Sequence, residues 1–160
     1  MSEYLNALVL LAEGGDSQAQ HRIGVFCLQG EEVEQDLEGA RLWFEAAAAQ
    51  GYAPAAYDLA MIYLEGTGVE PDQETGVKWL SKAALAGDAK AQNNLAILHA
   101  QGEGVQEDLV QALIWFGLAA HNGLEEAVQN YQSLAKEVPE EMLFKAQMGA
   151  EAILSRMQNG

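Results

Sequence analysis

The chain has 160 residues, enough for one domain with a sizeable core, and carries 24 Asp and Glu against 8 Lys and Arg, a formal charge of −16. That excess excludes a broad basic patch for nucleic acid or an anionic membrane and predicts attraction to basic partners. A hydrophobic fraction of 49% excludes general disorder, and a single cysteine, Cys27, excludes an internal disulfide framework.

The chain opens on an apolar run, Leu5–Ala12, of signal-peptide length. Glu3 is acidic and no Lys or Arg precedes Arg22, so the positive leader such a signal needs is missing. The run also fits a repeat register, because Ala7–Gly14 stands one period before Trp43–Gln50. A capping half-repeat at 3–14 is therefore expected, with a cytoplasmic location; a cleaved signal is the open alternative. No stretch approaches the roughly 20 apolar residues of a membrane span.

From Gly15 onward the sequence repeats every 36 residues without insertion or deletion. Gly15, Gly51, Gly87 and Gly123 keep the step, as do Ala19, Ala55, Ala91 and Ala127, then Trp43, Trp79 and Trp115, Val33, Val69 and Val105, and Asp36, Asp72 and Asp108. A period in the 20–50 range marks a solenoid whose units bury their apolar faces only against neighbours. In the second copy Ala53-Pro54 opens a first helix, with Pro54 in the turn where a missing N–H costs nothing. Leu59, Ile62 and Tyr63 share one face of it, and Gly66-Thr67-Gly68 ends it by supplying positive φ. Val69 plugs the turn and Asp72 caps a second helix, whose stripe is Trp79, Leu80, Ala83 and Ala84.

The expected layout is one solenoid domain over 1–160: full repeats at 15–50, 51–86 and 87–122, then a degenerate capping repeat at 123–158. In that last copy Tyr131 replaces the leucine, the Gly-x-Gly turn is lost, and Pro139 opens a final helix over Glu140–Gln158. In the first copy Glu32 takes the place of the second turn glycine, so that turn must differ or be strained.

The string Ala55-x-x-x-Leu59-Ala60-x-x-Tyr63-x-x-Gly66-x-Gly68-Val69-x-x-Asp72, followed by Gly76-x-x-Trp79-x-x-x-Ala83-Ala84-x-x-Gly87, resembles the Sel-like repeat, a longer relative of the tetratricopeptide repeat. The resemblance covers about 15–135. It implies an all-α fold, a right-handed α-solenoid used as an adaptor or scaffold, with no cofactor and no catalytic residues. The cysteine pairs of the family's secreted branch are absent.

Few residues suggest chemistry. Cys27 and His99 would make a thiol–imidazole dyad, but they align at one core position two periods apart. Helices stacked at about 8–10 Å place them beyond hydrogen-bond reach. His21 and His121 have no carboxylate at ligand spacing, so no metal is expected.

Two surfaces are candidate binding sites. At 100° per residue, the first-helix positions turned away from the packing stripe read His21, Arg22, Val25 and Gln29; Tyr57, Asp58, Met61 and Glu65; Asn93, Asn94, Ile97 and Gln101; and Gln129, Asn130 and Ser133. Solenoids of this class line their concave surface with these helices. An apolar centre flanked by amides and charges suits a polypeptide, and Asn93 and Asn94 are placed to grip its backbone. The second surface is acidic. Segments 30–38, 66–74 and 102–110 hold Glu31, Glu32, Glu34, Asp36, Glu38, Glu70, Asp72, Glu74, Glu103, Glu107 and Asp108 with no Lys or Arg. Helix capping and solubility account for such acids, and so does docking of a basic partner. The function expected is a non-catalytic protein- or peptide-binding scaffold; the alternative is an immunity or inhibitor protein that sequesters a toxin or other basic partner.

Overall fold

The structure is a computed structural model and describes residues 2–159; of the expected span 1–160, Met1 and Gly160 lie outside the described residues. Among the described residues there are nine α-helices and no strand. After α1 (Glu3–Glu13) come the first helices α2 (Ser17–Gln29), α4 (Ala53–Glu65), α6 (Ala89–Gln101) and α8 (Glu125–Ala135). They alternate with the second helices α3 (Leu37–Ala49), α5 (Gln73–Leu85), α7 (Leu109–His121) and α9 (Glu140–Gln158). The boundaries of α2, α4 and α6, and of α3, α5 and α7, recur at the 36-residue step of the sequence. Among the described residues no helix is long and apolar enough to cross a membrane. The chain divides into two compact units, one ending at Ala83 and the other beginning at Ala84.

The turn inside each repeat explains why the period is fixed. The first helix stops on a left-handed glycine, Gly30, Gly66 or Gly102, whose N–H reaches back to Phe26, Ile62 or Leu98. The chain then returns so that the N–H of Asp36, Asp72 or Asp108 meets the carbonyl of Cys27, Tyr63 or His99, at 2.9, 2.8 and 2.9 Å. The same aspartates cap the next helix through Oδ1, accepting from the N–H groups of Gly39, Thr75 and Gln111 at 2.9, 3.0 and 3.0 Å. Two turn positions beyond the stop, Gly68 and Gly104 have φ of 71° and 69°, and Glu32 holds the same region at 62°. The turn is thus kept in the first copy and Glu32 carries the strain, since an L-residue with a Cβ disfavours this conformation by about 1–2 kcal/mol.

In the first unit α1 packs on α2, α2 on α3 and α3 on α4. Leu5, Leu8, Ala12, Ala19 and Ile23 form a cluster with Val9, Phe26, Cys27, Val33 and Trp43 against it. Gly24 lets α3 approach: a Cβ there would stand 2.6 Å from the Phe44 ring. Tyr4, Leu10 and Leu11 of α1 are all more than half exposed, alongside exposed Glu3, Asn6 and Glu13. In the second unit α7 is the centre, contacted by α6, α8 and α9. Its residues Leu113, Ile114, Trp115, Phe116 and Leu118 are all buried.

The three tryptophans therefore differ. Trp115 is 6% exposed because helices cover α7 on several sides. Trp43 and Trp79 are only partly buried; Leu80, Ala83 and Ala84 occupy the interior, and Lys82 Nζ lies 4.4 Å from the Trp79 ring centroid. Trp79 is therefore a margin residue, not a core one. In urea unfolding, Trp115→Ala should cost about 3–5 kcal/mol, the usual loss at a buried aromatic site. Trp79→Ala should cost no more than about half of that, and an equal loss would mean that the two indoles are equally buried.

Candidate functional site

The exposed side of the first helices is built on polar pairs that hold neighbouring first helices side by side. In the first unit His21 Nε2 on α2 and Asp58 Oδ2 on α4 are 2.7 Å apart, and the imidazole lies against the Phe44 and Tyr52 rings at 5.5 and 5.3 Å. In the second unit Asn130 Nδ2 on α8 donates to Asn93 Oδ1 on α6 at 3.1 Å. Both pairs span 37 residues, one more than the period, so the same two positions meet in each unit.

These pairs change the reading of the expected surface. Asn93 is 3% exposed and engaged by Asn130, so it does not offer an amide to a ligand. Asp58, Asn130 and His21 are committed to bracing as well. Arg22, Gln29, Glu65, Gln101, Gln129 and Ser133 are exposed, whereas Val25, Tyr57, Met61, Asn94 and Ile97 are partly buried. Tyr57, Met61 and Asn94 all interact with other residues of the chain.

A second set of polar braces does not show in the repeat pattern. Gln20 is buried, donates to the Ala12 carbonyl at 3.1 Å and accepts from Gln50 at 2.8 Å. Gln92, two periods later and fully buried, donates to the Ala84 carbonyl at 3.0 Å and accepts from Asn122 at 2.9 Å. The corresponding position of the copy between them is Ala56, so the brace skips a repeat. Reading Gln20 with Gln50, and Gln92 with Asn122, as matched pairs would have revealed it.

The acidic segments separate into two groups. Asp36, Asp72 and Asp108 cap helices, and Glu38 and Glu74 stand in the first turns of α3 and α5, where Glu74 pairs with Lys78 at 2.7 Å. The Thr75 hydroxyl, 2.6 Å away, and the Thr75 N–H hold the Asp72 carboxyl below its ordinary range. Glu31, Glu32, Glu34, Glu70, Glu103 and Glu107 are exposed and cap no helix, although Glu32 accepts from Ser2 at 3.4 Å.

A cavity of about 570 Å³ opens in the first unit between α1, α2 and the start of α4. Leu8, Leu11, Ala19, Val25, Phe26 and Tyr52 supply its apolar lining, and His21 and Arg22 border it. The Arg22 guanidinium carbon is 5.9 Å from both the Tyr4 and Phe26 ring centroids, within cation–π range. A smaller cavity of about 290 Å³ lies among α7, α8 and α9 in the second unit, lined by Leu113, Tyr131, Ala146 and Leu154 among others.

Cys27 packs on the first unit's core, and burial, then the charge of Asp36, pushes its thiol above the ordinary range. His99 Nδ1 is buried with no hydrogen-bond partner. Among the described residues no three His, Cys, Asp or Glu side chains group as metal ligands would. Two measurements check this picture. Because a raised pKa leaves less thiolate at neutral pH, Cys27 should alkylate with iodoacetamide more slowly than a free thiol and recover the ordinary rate in denaturant. Gln92→Ala removes its bonds to Asn122 and to the Ala84 carbonyl, and should cost about 1–3 kcal/mol in chemical denaturation.

Comparison with known proteins agrees with this architecture. The profile of a family described as Sel1 repeat matches residues 17–52, 53–88 and 89–124, two residues out of phase with the divisions drawn from the glycines. A Sel1 repeat protein from Oxalobacter formigenes is 33% identical, with 82% of this chain and 99% of that one covered and a TM-score of 0.78. The protein c5321, described as a protective antigen of uropathogenic Escherichia coli with an SLR fold, is 37% identical over 91% of this chain, with a TM-score of 0.80. This chain spans only 33% of that protein's length. Cysteine-rich protein B of Helicobacter pylori shares the fold at 21% identity, covering 79% of this chain and 94% of that one with a TM-score of 0.64. No functionally curated protein gives a significant match.

Proposed function

Since this chain belongs to the Sel1 repeat family, whose members generally act as protein-interaction scaffolds, we propose that it is a non-catalytic binding scaffold whose first-helix surface recognises a polypeptide. The observation that carries this reading is the pairing of His21 with Asp58 and of Asn93 with Asn130. Each pair fixes two neighbouring first helices, so their remaining side chains form ordered rows before any partner arrives, which lowers the ordering cost of binding. In the first unit those rows include Arg22, Val25, Tyr57 and Met61; in the second, Asn94, Ile97 and Gln101. Tyr and Arg are frequent energetic anchors, and Met adapts to varied ligands. The six exposed glutamates of the turns, Glu31, Glu32, Glu34, Glu70, Glu103 and Glu107, support a basic partner, or a basic stretch of one, at the loops. A sequestered toxin is one partner of that kind.

The test is affinity capture followed by quantitative binding to the captured protein. Tyr57→Ala and Asn94→Ala, made separately and checked for folding by circular dichroism, should each weaken binding by about tenfold, or ~1.4 kcal/mol. Unchanged affinity in both folded variants would remove the first-helix surface from the interaction. Glu70→Lys with Glu103→Lys leaves every cap intact and should slow association with a basic partner more than it changes dissociation. Added salt should weaken such binding over the roughly 8 Å screening length of physiological ionic strength.

A further inference from the structure

The cavity between α1 and α2 has a cation at its border. Arg22 stands at its border, exposed, and among the described residues no carboxylate pairs with it. The ion pairs formed elsewhere use His21 with Asp58, Arg41 with Glu45, Lys78 with Glu74 and Lys145 with Glu141. Arg22 instead lies near the Tyr4 and Phe26 rings, a contact that leaves its N–H fork for another acceptor. Of the two acids that line the same cavity, Asp16 is engaged with the Ala19 N–H at 2.7 Å and Glu31 stands exposed in the loop.

The remaining lining is largely aliphatic and aromatic, and about 570 Å³ falls within the usual range of roughly 300–1,000 Å³ for ligand pockets. That volume suits more than one side chain. An apolar recess with one cation at its border, prepared to make a two-point contact, matches an apolar group with an acid next to it. Glu31 disfavours a second acid, so a run of acidic residues would not fit.

We propose that this pocket takes a polypeptide segment that sets one carboxylate beside one or two large apolar side chains. The carboxylate binds Arg22 and the side chains lie against Leu8, Leu11, Val25 and Phe26. The proposal rests on the scaffold reading above and names one feature of what that scaffold binds. Its carboxylate has two sources, an Asp or Glu side chain or the free end of a chain, and the chemistry at Arg22 is the same for both.

The experiment uses the full chain and four fluorescent hexapeptides read by polarisation. Two have blocked ends and carry Leu and Phe on either side of Glu or of Gln. Two lack an internal acid and end in Leu-Phe, as the free acid or as the amide. At least one acid peptide should bind about tenfold or more tightly than its neutral counterpart, and which one does so identifies the source of the carboxylate. Arg22→Gln should reduce that preference to about threefold or less, with Arg22→Lys intermediate because it keeps charge without the fork. Leu11→Ala should weaken all binding peptides together. The proposal is overturned by equal binding of acid and neutral peptides, by an undiminished preference in folded Arg22→Gln, by unchanged binding in Leu11→Ala, or by no peptide binding at millimolar concentration. Capture of a protein partner that depends on Tyr57 or Asn94 would leave the scaffold reading standing in each of these cases, so the two fail separately.

Discussion

The hydrogen bond from the capping aspartate's N–H to a carbonyl in the last turn of the preceding helix is the constraint on which the repeat depends. It joins Asp36 to Cys27, Asp72 to Tyr63 and Asp108 to His99. Because the bond is made by the main chain, the side chain on the accepting residue is left to vary. That explains how a cysteine, a tyrosine and a histidine occupy one structural position without sharing a chemical task. The same aspartate then starts the next helix through its side chain, so one residue both closes the loop and sets the direction in which the chain leaves it. A turn defined so tightly tolerates little change in length, which accounts for the absence of insertions across the copies.

The side-chain braces act at a larger scale. His21 with Asp58 and Asn93 with Asn130 join first helices, whereas Gln20 and Gln92 connect a first helix to both the helix before it and the end of the helix after it. Buried polar groups stabilise little on balance but are costly when left unpaired, so their main effect is to disfavour slipped arrangements of otherwise similar apolar faces. A stack made largely from alanine and leucine needs such register marks. The family's scaffold role depends on the same property, because a binding face is only as well defined as the helices that carry it.

How far the sequence could be read depended on whether a feature repeats with the period. The helix boundaries, the left-handed glycines, the aspartate caps and the final helix at Glu140–Gln158 all agree with the reading from spacing alone. Contacts between copies were less legible. Asp58 meets His21 at a step of 37, and a search at 36 passes over it. Asn93 looked like surface on a helical projection, yet Asn130 from the next first helix covers it, and a single-helix projection has no knowledge of its neighbour. The matching positions of Trp79 and Trp115 hid different surroundings: Trp115 is buried on α7, which α6, α8 and α9 contact, whereas Trp79 is only partly buried. The pocket beside Arg22 was invisible for a related reason: Tyr4, Leu8 and Leu11 belong to the half-repeat, where the pattern offers no counterpart for comparison.

The exposed apolar residues of α1 bear on how copies of this protein behave toward one another. Leu10 is 69% exposed, and Tyr4 and Leu11 of the same helix are more than half exposed. Exposed apolar side chains favour self-association, while a formal charge of −16 opposes the approach of identical chains. Dispersal in solution is then a balance of long-range repulsion against short-range adhesion. Salt shortens the first without weakening the second, and acid removes the charge as carboxylates take up protons. The acidic composition thus has a colloidal consequence separate from recognition: at neutral pH it opposes the close approach that the exposed apolar residues of α1 favour.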